Sequence, residues 1–486
     1  ETELGRKREI DQSACNKDFS CVKGFCPSFV TLQGAQIRKS QTAQLDLPQM
    51  PEPVLPNIDG TFNVVVTGVG GTGVVTIGAV LAQAAQIDGK GAGMMEMAGL
   101  AQKGGAVHIH CRLANRPEDI TAIRVATGEC DALIGGDLVV SAAAKTLGLT
   151  KVGRTGAVVN AHDIVTGEFT RDTEFSIPTD RLSLALQARL QDRVQLLDST
   201  ELARITMGDS LYSNMLIFGA AWQRGLLPIT LDALRQAIAL NGAAVDKNLR
   251  AFEIGRWSAL FPDDAAALIA PTVVKLPQTL DEKIAVRSKH LQAYQGAQLS
   301  RRYVRMLERT ADPELKLALA KGYHKLLAYK DEYEVARLHL GTYAKASETF
   351  EGPFEMTFHL APPLLSKNGS DGRPQKRSFG PWMLGPLRVL SALRVLRGTA
   401  LDPFGYTAER RMERALIAQY EEDMAAILPV VTPATHEIAV ALANLPLDIR
   451  GFGPVKQANE IKAGKRRKEL LAAFHRSGGD LAQAAE

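Results

Sequence analysis

The sequence predicts an α/β protein with a doubly wound, mainly parallel sheet, preceded by a cysteine-rich loop and followed by a mainly α-helical domain. Short apolar β-forming runs alternate with helical patterns across residues 61–262, which is typical of a parallel sheet. A glycine turn joins the first strand of that region to its first helix. From Asp281 onward, apolar residues recur three and four positions apart, which indicates helices.

A chain of 486 residues exceeds what one hydrophobic core organises, so we expect several domains. The composition changes predict a cysteine segment at 1–33, a linker at 34–60, the α/β domain at 61–262 and the helical domain at 263–486. The linker is predicted because its stretch is rich in Gln and Pro and shows no sustained periodicity.

The composition is that of an ordinary soluble globular protein, with 45% hydrophobic and 23% charged residues. A formal charge of +4 gives no indication of nucleic acid as a partner. No apolar run reaches about 18 residues, so we expect no membrane span. The sequence starts without an initiator Met or an apolar signal core, and is expected to continue a longer chain. An odd number of cysteines favours a reducing, cytoplasmic compartment.

Three cysteines lie close together near the beginning of the chain and fit a metal-binding pattern. Bacterial ferredoxin loops hold an iron–sulfur cluster with C-x₂-C-x₂-C-x₃-C-P, and here Pro27 follows the last cysteine as that pattern requires. One acidic residue takes the place of the second cysteine, and the last gap is one residue longer. Structural zinc and unliganded cysteines are the alternatives. The predicted metal ligands are Cys15, Asp18, Cys21 and Cys26, whereas Cys111 and Cys130 are expected to be buried apolar residues.

The glycine turn follows the apolar run Val64–Val66 and precedes a helical pattern from Val74 to Gln86. Exposed backbone N–H groups and the helix dipole favour an anionic group at such a turn, although plain helix–sheet packing also uses glycines here. A second turn after the next strand brings a cation and further N–H groups to the same edge of the sheet. The predicted cofactor-binding residues are Gly68, Gly70, Gly71, Thr72, Gly73, Gln102, Lys103, Gly104 and Gly105.

Two further features of this region bear on function. Rossmann-like dinucleotide sites place an acidic residue at the end of the second strand, and Glu96 lies near that position. NAD binding is therefore an open alternative. His108 and His110 share one face of an alternating strand, and we interpret them as a half-exposed structural pair rather than as metal ligands.

Taken in order, these motifs resemble a known family. The gamma-type domain of the 2-oxoacid:ferredoxin oxidoreductases is similar to this chain in the segments Gly68–Gly73, Gly99–Gly105, Asp131–Asp137 and Asn214–Ala221. With the segment Asp11–Cys21 and the C-terminal tail, the chain resembles the C-terminal part of the fused bacterial indolepyruvate ferredoxin oxidoreductases.

The resemblance implies oxidative decarboxylation of an aryl pyruvate, such as indolepyruvate or phenylpyruvate, to an acyl-CoA. It implies thiamine diphosphate, Mg and coenzyme A in the assembled enzyme, and electron transfer through a cluster of the 4Fe-4S kind to ferredoxin. The Gly-Asp-Gly element that holds the Mg-diphosphate in that family does not occur here. The thiamine site is therefore expected on another part of a homo-oligomeric assembly, and no residue of this chain is assigned as a catalytic acid or base.

The C-terminal third shows helical patterns at Lys316–Tyr329 and Glu409–Leu428. We predict a loop region at Phe350–Gly385, whose aromatic, proline and basic residues either dock a partner or complete the domain's own core. The basic run Lys465–Lys468 is interpreted as a solvated helix face. Two other functions stay open: an NAD-dependent Rossmann oxidoreductase with a structural zinc, and a non-catalytic scaffold.

Overall fold

The structure, a computed structural model, describes residues 2–5, 10, 17–23, 29–38, 43, 45–98, 105–163, 177–270, 277–362, 375–451 and 454–477. The chain divides into two compact units. The α/β unit contains Lys39–Thr272 and the short stretch Ile10–Asn16. The helical unit contains Glu1–Glu9, Lys17–Arg38 and Val273–Glu486.

The strands and helices are numbered in chain order. The strands are β1 (Val30–Gln33), β2 (Gln36–Ile37), β3 (Thr61–Val69), β4 (Gly91–Ala98), β5 (Ala106–Ala114), β6 (Ala132–Gly135), β7 (Gly156–Asn160), β8 (Val194–Leu197), β9 (Phe350–Glu351), β10 (Glu355–Leu360) and β11 (Arg377–Phe379). The helices before residue 270 are α1 (Val74–Ile87), α2 (Leu138–Ser141), α3 (Ala144–Leu149), α4 (Thr179–Leu190), α5 (Ser199–Met207), α6 (Ser213–Gln223), α7 (Leu231–Leu240), α8 (Val245–Leu260) and α9 (Pro262–Ile269). The later helices are α10 (Leu280–Tyr294), α11 (Ala297–Leu307), α12 (Pro313–Leu327), α13 (Glu332–Thr349), α14 (Leu384–Ala392), α15 (Ala408–Ile427), α16 (His436–Asn444) and α17 (Pro454–Arg476).

The sheet of the α/β unit has the strand order β4-β5-β3-β6-β7-β8. Strands β3, β6, β7 and β8 pair in parallel, and β5 pairs antiparallel with both β3 and β4. Strand β4 therefore points the same way as β3. The prediction of a doubly wound, mainly parallel sheet is confirmed, with a reversed strand that the sequence pattern did not indicate.

Helices cover both faces of this sheet, so its central strand is apolar on both sides. Val64 and Val66 belong to a core that also contains residues of α1, α6, α7 and α8. Val65 belongs to the core on the other face, with residues of α2 and α4. Two glycines let α6 and α8 approach closely. A Cβ on Gly255 would lie 1.8 Å from the carbonyl oxygen of Leu216, and a Cβ on Gly219 would lie 2.0 Å from a backbone oxygen of α8.

Apolar side chains of the predicted linker pack against the α/β unit. Leu45, Leu47, Met50, Leu55 and Ile58 contact the core that contains α1 and α8. The side chain of Gln223 donates to the carbonyl of Pro51 over 2.8 Å. This stretch of backbone is thereby held along the surface of the unit.

The helical unit is built around a core formed by α10, α11, α12, α15, α16 and α17. Its centre includes a row of tyrosine rings: Tyr323 stacks on Tyr303 at 6.1 Å and on Tyr420 at 5.8 Å between centroids. The C-terminal part is therefore mainly helical, as predicted. Among the helices of the described ranges, none has both the length and the apolar character needed to cross a bilayer.

The region predicted as a loop at Phe350–Gly385 contains three strands in its described part, so that prediction was wrong. Strand β10 pairs antiparallel with β1, with Val30 opposite Phe358, and also with β11. Strand β9 pairs with β2. In β10 Met356 and Phe358 are buried in a core with residues of α13 and α14, which favours the prediction that aromatics here complete the domain's own core.

Candidate functional site

The glycine turn lies between the end of β3 at Val69 and the start of α1 at Val74. Gly71 and Gly73 have φ angles of 99° and 74°, the left-handed region that side chains other than glycine rarely adopt. The hydroxyl of Thr72 donates to the carbonyl of Val69 over 2.7 Å and closes the turn. Gly73 is the N-cap residue of α1, which has no side-chain cap and no acidic residue in its first turn.

The glycine turn contacts the residue that precedes β5. The N–H of Gly70 donates to the carbonyl of Gly105 over 2.8 Å. Gly68 lies near the end of β3, and Gly70, Gly71, Thr72 and Gly73 form the turn that follows it. Gln102, Lys103 and Gly104 lie outside the described residues.

The ends of the neighbouring parallel strands complete this edge of the sheet. The N–H of Gly136, after β6, donates to the carbonyl of Thr67 over 2.6 Å. A Cβ on Gly136 would lie 2.7 Å from Cγ1 of Val74 and 3.4 Å from the hydroxyl oxygen of Thr72. A glycine is needed at this position because the end of β6 sits directly against the glycine turn.

Asn160, the last residue of β7, holds the ends of three strands together. Its Nδ2 donates to the carbonyl of Gly136 over 3.1 Å and to the hydroxyl of Thr200 over 2.8 Å. Its Oδ1 accepts from the N–H groups of Ser199 at 3.1 Å and His162 at 3.2 Å. The buried amide therefore has four partners, and it fixes the strand ends relative to one another.

Asp137 follows Gly136 and is fully buried. Its Oδ1 accepts from the N–H of Val140 over 2.8 Å, whereas its Oδ2 has no hydrogen-bond partner among the described residues. Burial raises the pKa of Asp137 to about 6, against the opposing effect of nearby peptide N–H groups. A carboxyl group that titrates near neutral pH thus lies at this edge of the sheet.

His162 and Asp198 form a pair just beyond the ends of β7 and β8. Nδ1 of His162 lies 3.1 Å from each carboxylate oxygen of Asp198, which also accepts from the N–H of Glu201 at 2.8 Å. The hydrogen bond that Asp198 accepts from the ring raises the pKa of His162, although burial opposes it. Burial alone would raise the pKa of Asp198, but the bonds from His162 and Glu201 lower it overall. This pair was not predicted from the sequence; its signal was a polar residue one or two positions after each of two strands.

The histidine pair on β5 is buried rather than half-exposed, so that detail was wrong. His110 accepts from the N–H of Val125 at Nδ1 over 2.9 Å, and burial lowers its pKa to about 4. Nε2 of His108 lies 3.2 Å from the hydroxyl of Thr146, which donates to Val140. Both rings are neutral at physiological pH, which fits the predicted structural role.

Glu96 does not lie where a dinucleotide-binding fold needs its acidic residue. It is exposed on β4, and β5 separates β4 from β3. Two strand spacings put it on the order of 10 Å from the strand that leads into the glycine turn. A ribose bound at that turn would require an acidic residue on the adjacent strand, so this geometry disfavours the NAD alternative.

The predicted metal ligands are described only in part, because Cys15 and Cys26 lie outside the described residues. Cys21 is a free, exposed thiol in a short turn, which fits a ligand role. Asp18 uses Oδ1 to accept from the N–H of Ser20 at 3.1 Å and from its hydroxyl at 3.0 Å, so its carboxylate also caps that turn. The described ranges contain no group of three metal-ligating side chains.

The remaining two cysteines are buried in the α/β unit, as expected from the sequence. Burial raises the pKa of the Cys111 thiol to about 12 and raises that of the Cys130 thiol further. Neither thiol is therefore a reactive thiolate at neutral pH.

Two family profiles match the chain. Residues 63–257 match the pyruvate ferredoxin/flavodoxin oxidoreductase family, and residues 280–469 match a family of unknown function, DUF6537. The indolepyruvate oxidoreductase subunit IorB of Archaeoglobus fulgidus is 27% identical over 198 residues, which are 40% of this chain and 93% of that protein. Its counterpart from Pyrococcus horikoshii is 26% identical over 198 residues, with 40% and 94% covered.

Solved structures similar to the chain include subunits of related enzymes. The gamma subunit of the keto/oxoacid ferredoxin oxidoreductase from Geobacter sulfurreducens is 21% identical and covers 41% of this chain and 99% of its own, with a TM-score of 0.28. The pyruvate oxidoreductase subunit PORC from Thermotoga maritima is 17% identical and covers 40% and 96%, with a TM-score of 0.29.

The match of residues 63–257 makes the α/β unit similar to a family of oxidoreductases. More closely, this part of the chain is similar to indolepyruvate oxidoreductase subunits. The resemblance drawn from the sequence is confirmed for this part of the chain.

Proposed function

We propose that the chain is a component of an aryl-pyruvate:ferredoxin oxidoreductase, with indolepyruvate as the type of substrate. It contributes the gamma-type domain and an iron–sulfur cluster, while the thiamine diphosphate and Mg site lies on another part of the enzyme. The names of the relatives, indolepyruvate oxidoreductase subunits, support this substrate class. Ferredoxin as acceptor, a homo-oligomeric assembly and a cytoplasmic location are parts of the same proposal.

The observation that carries the proposal is the edge formed by the glycine turn, Gly105 and Gly136. Close backbone approach and an uncapped helix N-terminus suit the diphosphate of coenzyme A, with Lys103 as its cation. The same surface would alternatively position the thiamine-binding part. His162 lies just beyond the end of β7, but its ring is paired with the carboxylate of Asp198, so the pair adds no net positive charge.

The cysteine segment is assigned to electron transfer. Cys15, Asp18, Cys21 and Cys26 would hold the cluster, which supplies a one-electron carrier when it is bound. Among these residues, Cys21 presents a free and exposed thiol. The main chain beside it is held by Lys376, whose Nζ donates to the carbonyl of Val22 over 2.9 Å.

The test is analysis of the protein purified with its copurifying chains under anaerobic conditions. We expect iron with acid-labile sulfide, a spectrum that bleaches on reduction, and reduction of ferredoxin by an aryl pyruvate only when coenzyme A is present. Zinc without sulfide would contradict the cluster. A protein that assembles with a thiamine-binding chain but supports no acceptor reduction would favour the scaffold alternative.

A further inference from the structure

The helical unit contains a cavity of about 560 Å³ at the beginning of α11. This volume is within the range of about 300–1,000 Å³ that small-ligand sites occupy. The residues that line the cavity include two arginines, two glutamines and two apolar side chains, and none of them is acidic. They are Gln295, Gln298, Leu299, Arg302, Arg305 and Val395.

Arg302 is held in place from the interior of the domain. Its Nε and Nη2 each donate to a carboxylate oxygen of Glu421 over 2.7 Å. The hydroxyl of Tyr323, a fully buried residue of the tyrosine row, donates to the same carboxylate. The buried hydroxyl thus orients Glu421, and Glu421 orients Arg302. Because the side chain of Arg302 is already ordered, it loses little rotamer entropy when it binds a ligand.

Arg305 lies one helical turn further along α11 and lines the same cavity. It is exposed and has no hydrogen-bond or ion-pair partner in the part of the chain that the structure describes. An adjoining cavity of about 480 Å³ shares both arginines and adds Arg309, Glu421 and Glu422. Because Arg302 is paired with Glu421, the unpaired positive charge at the first cavity is that of Arg305.

We propose that the first cavity binds an organic phosphate of about nucleotide size. The unpaired guanidinium of Arg305 can bind phosphate oxygens, and Leu299 and Val395 give an apolar surface for the rest of the ligand. An acidic protein surface fits less well, because the arginines line a concave site. The site lies in the segment that matches the family of unknown function, and it is separate from the glycine turn.

The test is isothermal titration calorimetry of the full chain with ADP and with inorganic pyrophosphate at low ionic strength. We expect Arg305→Gln to weaken one ADP-binding event about tenfold or more, since it removes a charge-assisted contact. Arg301→Gln is the matched control: Arg301 is an exposed arginine of the same helix that lines neither cavity. It is expected to leave that event unchanged.

The contrast between these variants also separates this site from any phosphate binding at the glycine turn, which neither substitution touches. Equal weakening by both substitutions would mean non-specific attraction and would overturn the proposal. So would an absence of ADP binding in the wild type, or an ADP-binding event that Arg305→Gln leaves intact. A further outcome would also overturn the phosphate proposal: the wild type binds a polyglutamate peptide but not ADP, and Arg305→Gln abolishes the binding of the peptide. The ligand would then be an acidic protein.

Discussion

The backbone N–H of Gly70 and the carbonyl of Gly105 are 2.8 Å apart, so the turn after β3 is joined to the start of β5. Because β5 runs antiparallel between β3 and β4, it begins at the edge where the parallel strands end. Gly105 and the glycine turn, which are separated in the sequence, thereby become parts of one surface. The predictions on the α/β unit concern this surface.

The first prediction concerns the conformation of the glycine turn. Gly73→Ala forces a side chain into a left-handed backbone, and the new Cβ would lie 2.5 Å from Nδ2 of Asn214, which donates to the carbonyl of Gly73. We expect the free energy of unfolding to fall by about 2 kcal/mol or more in urea titrations, together with weaker coenzyme A binding.

Gly89→Ala is the matched control for Gly73→Ala. Its φ is 69° and a Cβ there would meet nothing within 4 Å, so it measures the left-handed strain alone, about 1 kcal/mol. Equal effects of the two substitutions on stability and on coenzyme A binding would show that close contacts at Gly73 contribute neither to stability nor to coenzyme A binding.

The second prediction concerns pH and Asp137. Because burial raises the pKa of Asp137 to about 6, the folded chain keeps this proton at pH values where the unfolded chain has lost it. The contribution of Asp137 to the free energy of unfolding therefore falls as pH rises from about 4 to about 6, and stays lower above that. Asp137→Asn keeps the Oδ1 acceptor but does not titrate. Between pH 5 and 7.5, the free energy of unfolding of the wild type should therefore fall by about 1–2 kcal/mol relative to that of this variant.

Urea unfolding of both proteins across this pH range measures the effect of Asp137. Asp46→Asn, a substitution of an exposed carboxylate in the same unit, should follow the wild-type profile. Parallel profiles for the wild type and Asp137→Asn would contradict the raised pKa.

The third prediction separates the exposed cysteine from the buried ones. Cys21→Ala should abolish acid-labile sulfide and the reducible absorbance, because it removes a thiolate from the proposed ligand set. Cys111→Ala, at a buried thiol, should retain both and lose about 1 kcal/mol of stability. Full cluster content in Cys21→Ala with failed assembly would support a structural role for the segment instead.

The fourth prediction concerns the buried ion pair of the helical unit. Nε and Nη2 of Arg397 donate to Asp331 over 2.5 and 2.8 Å, and its guanidinium lies 3.6 Å from the ring centroid of Tyr294. Both charged residues are at most 5% exposed. Arg397→Met leaves a buried carboxylate without its partner and should lower the free energy of unfolding by about 3–5 kcal/mol.

Arg466→Met breaks an exposed pair with Glu469 in the same unit and should change stability by less than about 1 kcal/mol. The double variant Arg397→Met with Asp331→Asn should recover part of the loss. A loss in Arg397→Met no larger than that of the exposed control would show that the pair is solvated.

Local patterns were sufficient to predict the sheet and the glycine turn. Val64–Val66 is an apolar run of β-branched residues that favours a strand buried on both faces, and the glycines that follow favour a turn into a helix. Short strands were not predictable in the same way. β9 and β11 have two and three residues, too few for a periodic pattern, and the partner of β9, β2, is equally brief and distant in sequence.

Residues of the site that depend on strand order could not be predicted. His162 and Asp198 are 36 positions apart and become neighbours only because β7 and β8 are adjacent. Glu96 shows the converse case. Its spacing from the glycines matched a dinucleotide site, but the reversed strand β5 takes the place beside β3 that such a site requires.

The helical unit is discontinuous along the chain, since its first strands, β1 and β2, precede the α/β unit and pair with β10 and β9 beyond it. The archaeal relatives, by contrast, are matched over 93–94% of their length by 198 residues of this chain. Along the sequence, the α/β unit therefore lies between two parts of the helical unit. Its removal without loss of a paired strand would need an excision between Arg38 and Val273, because truncation from either end would remove β1 and β2 or their partners β10 and β9.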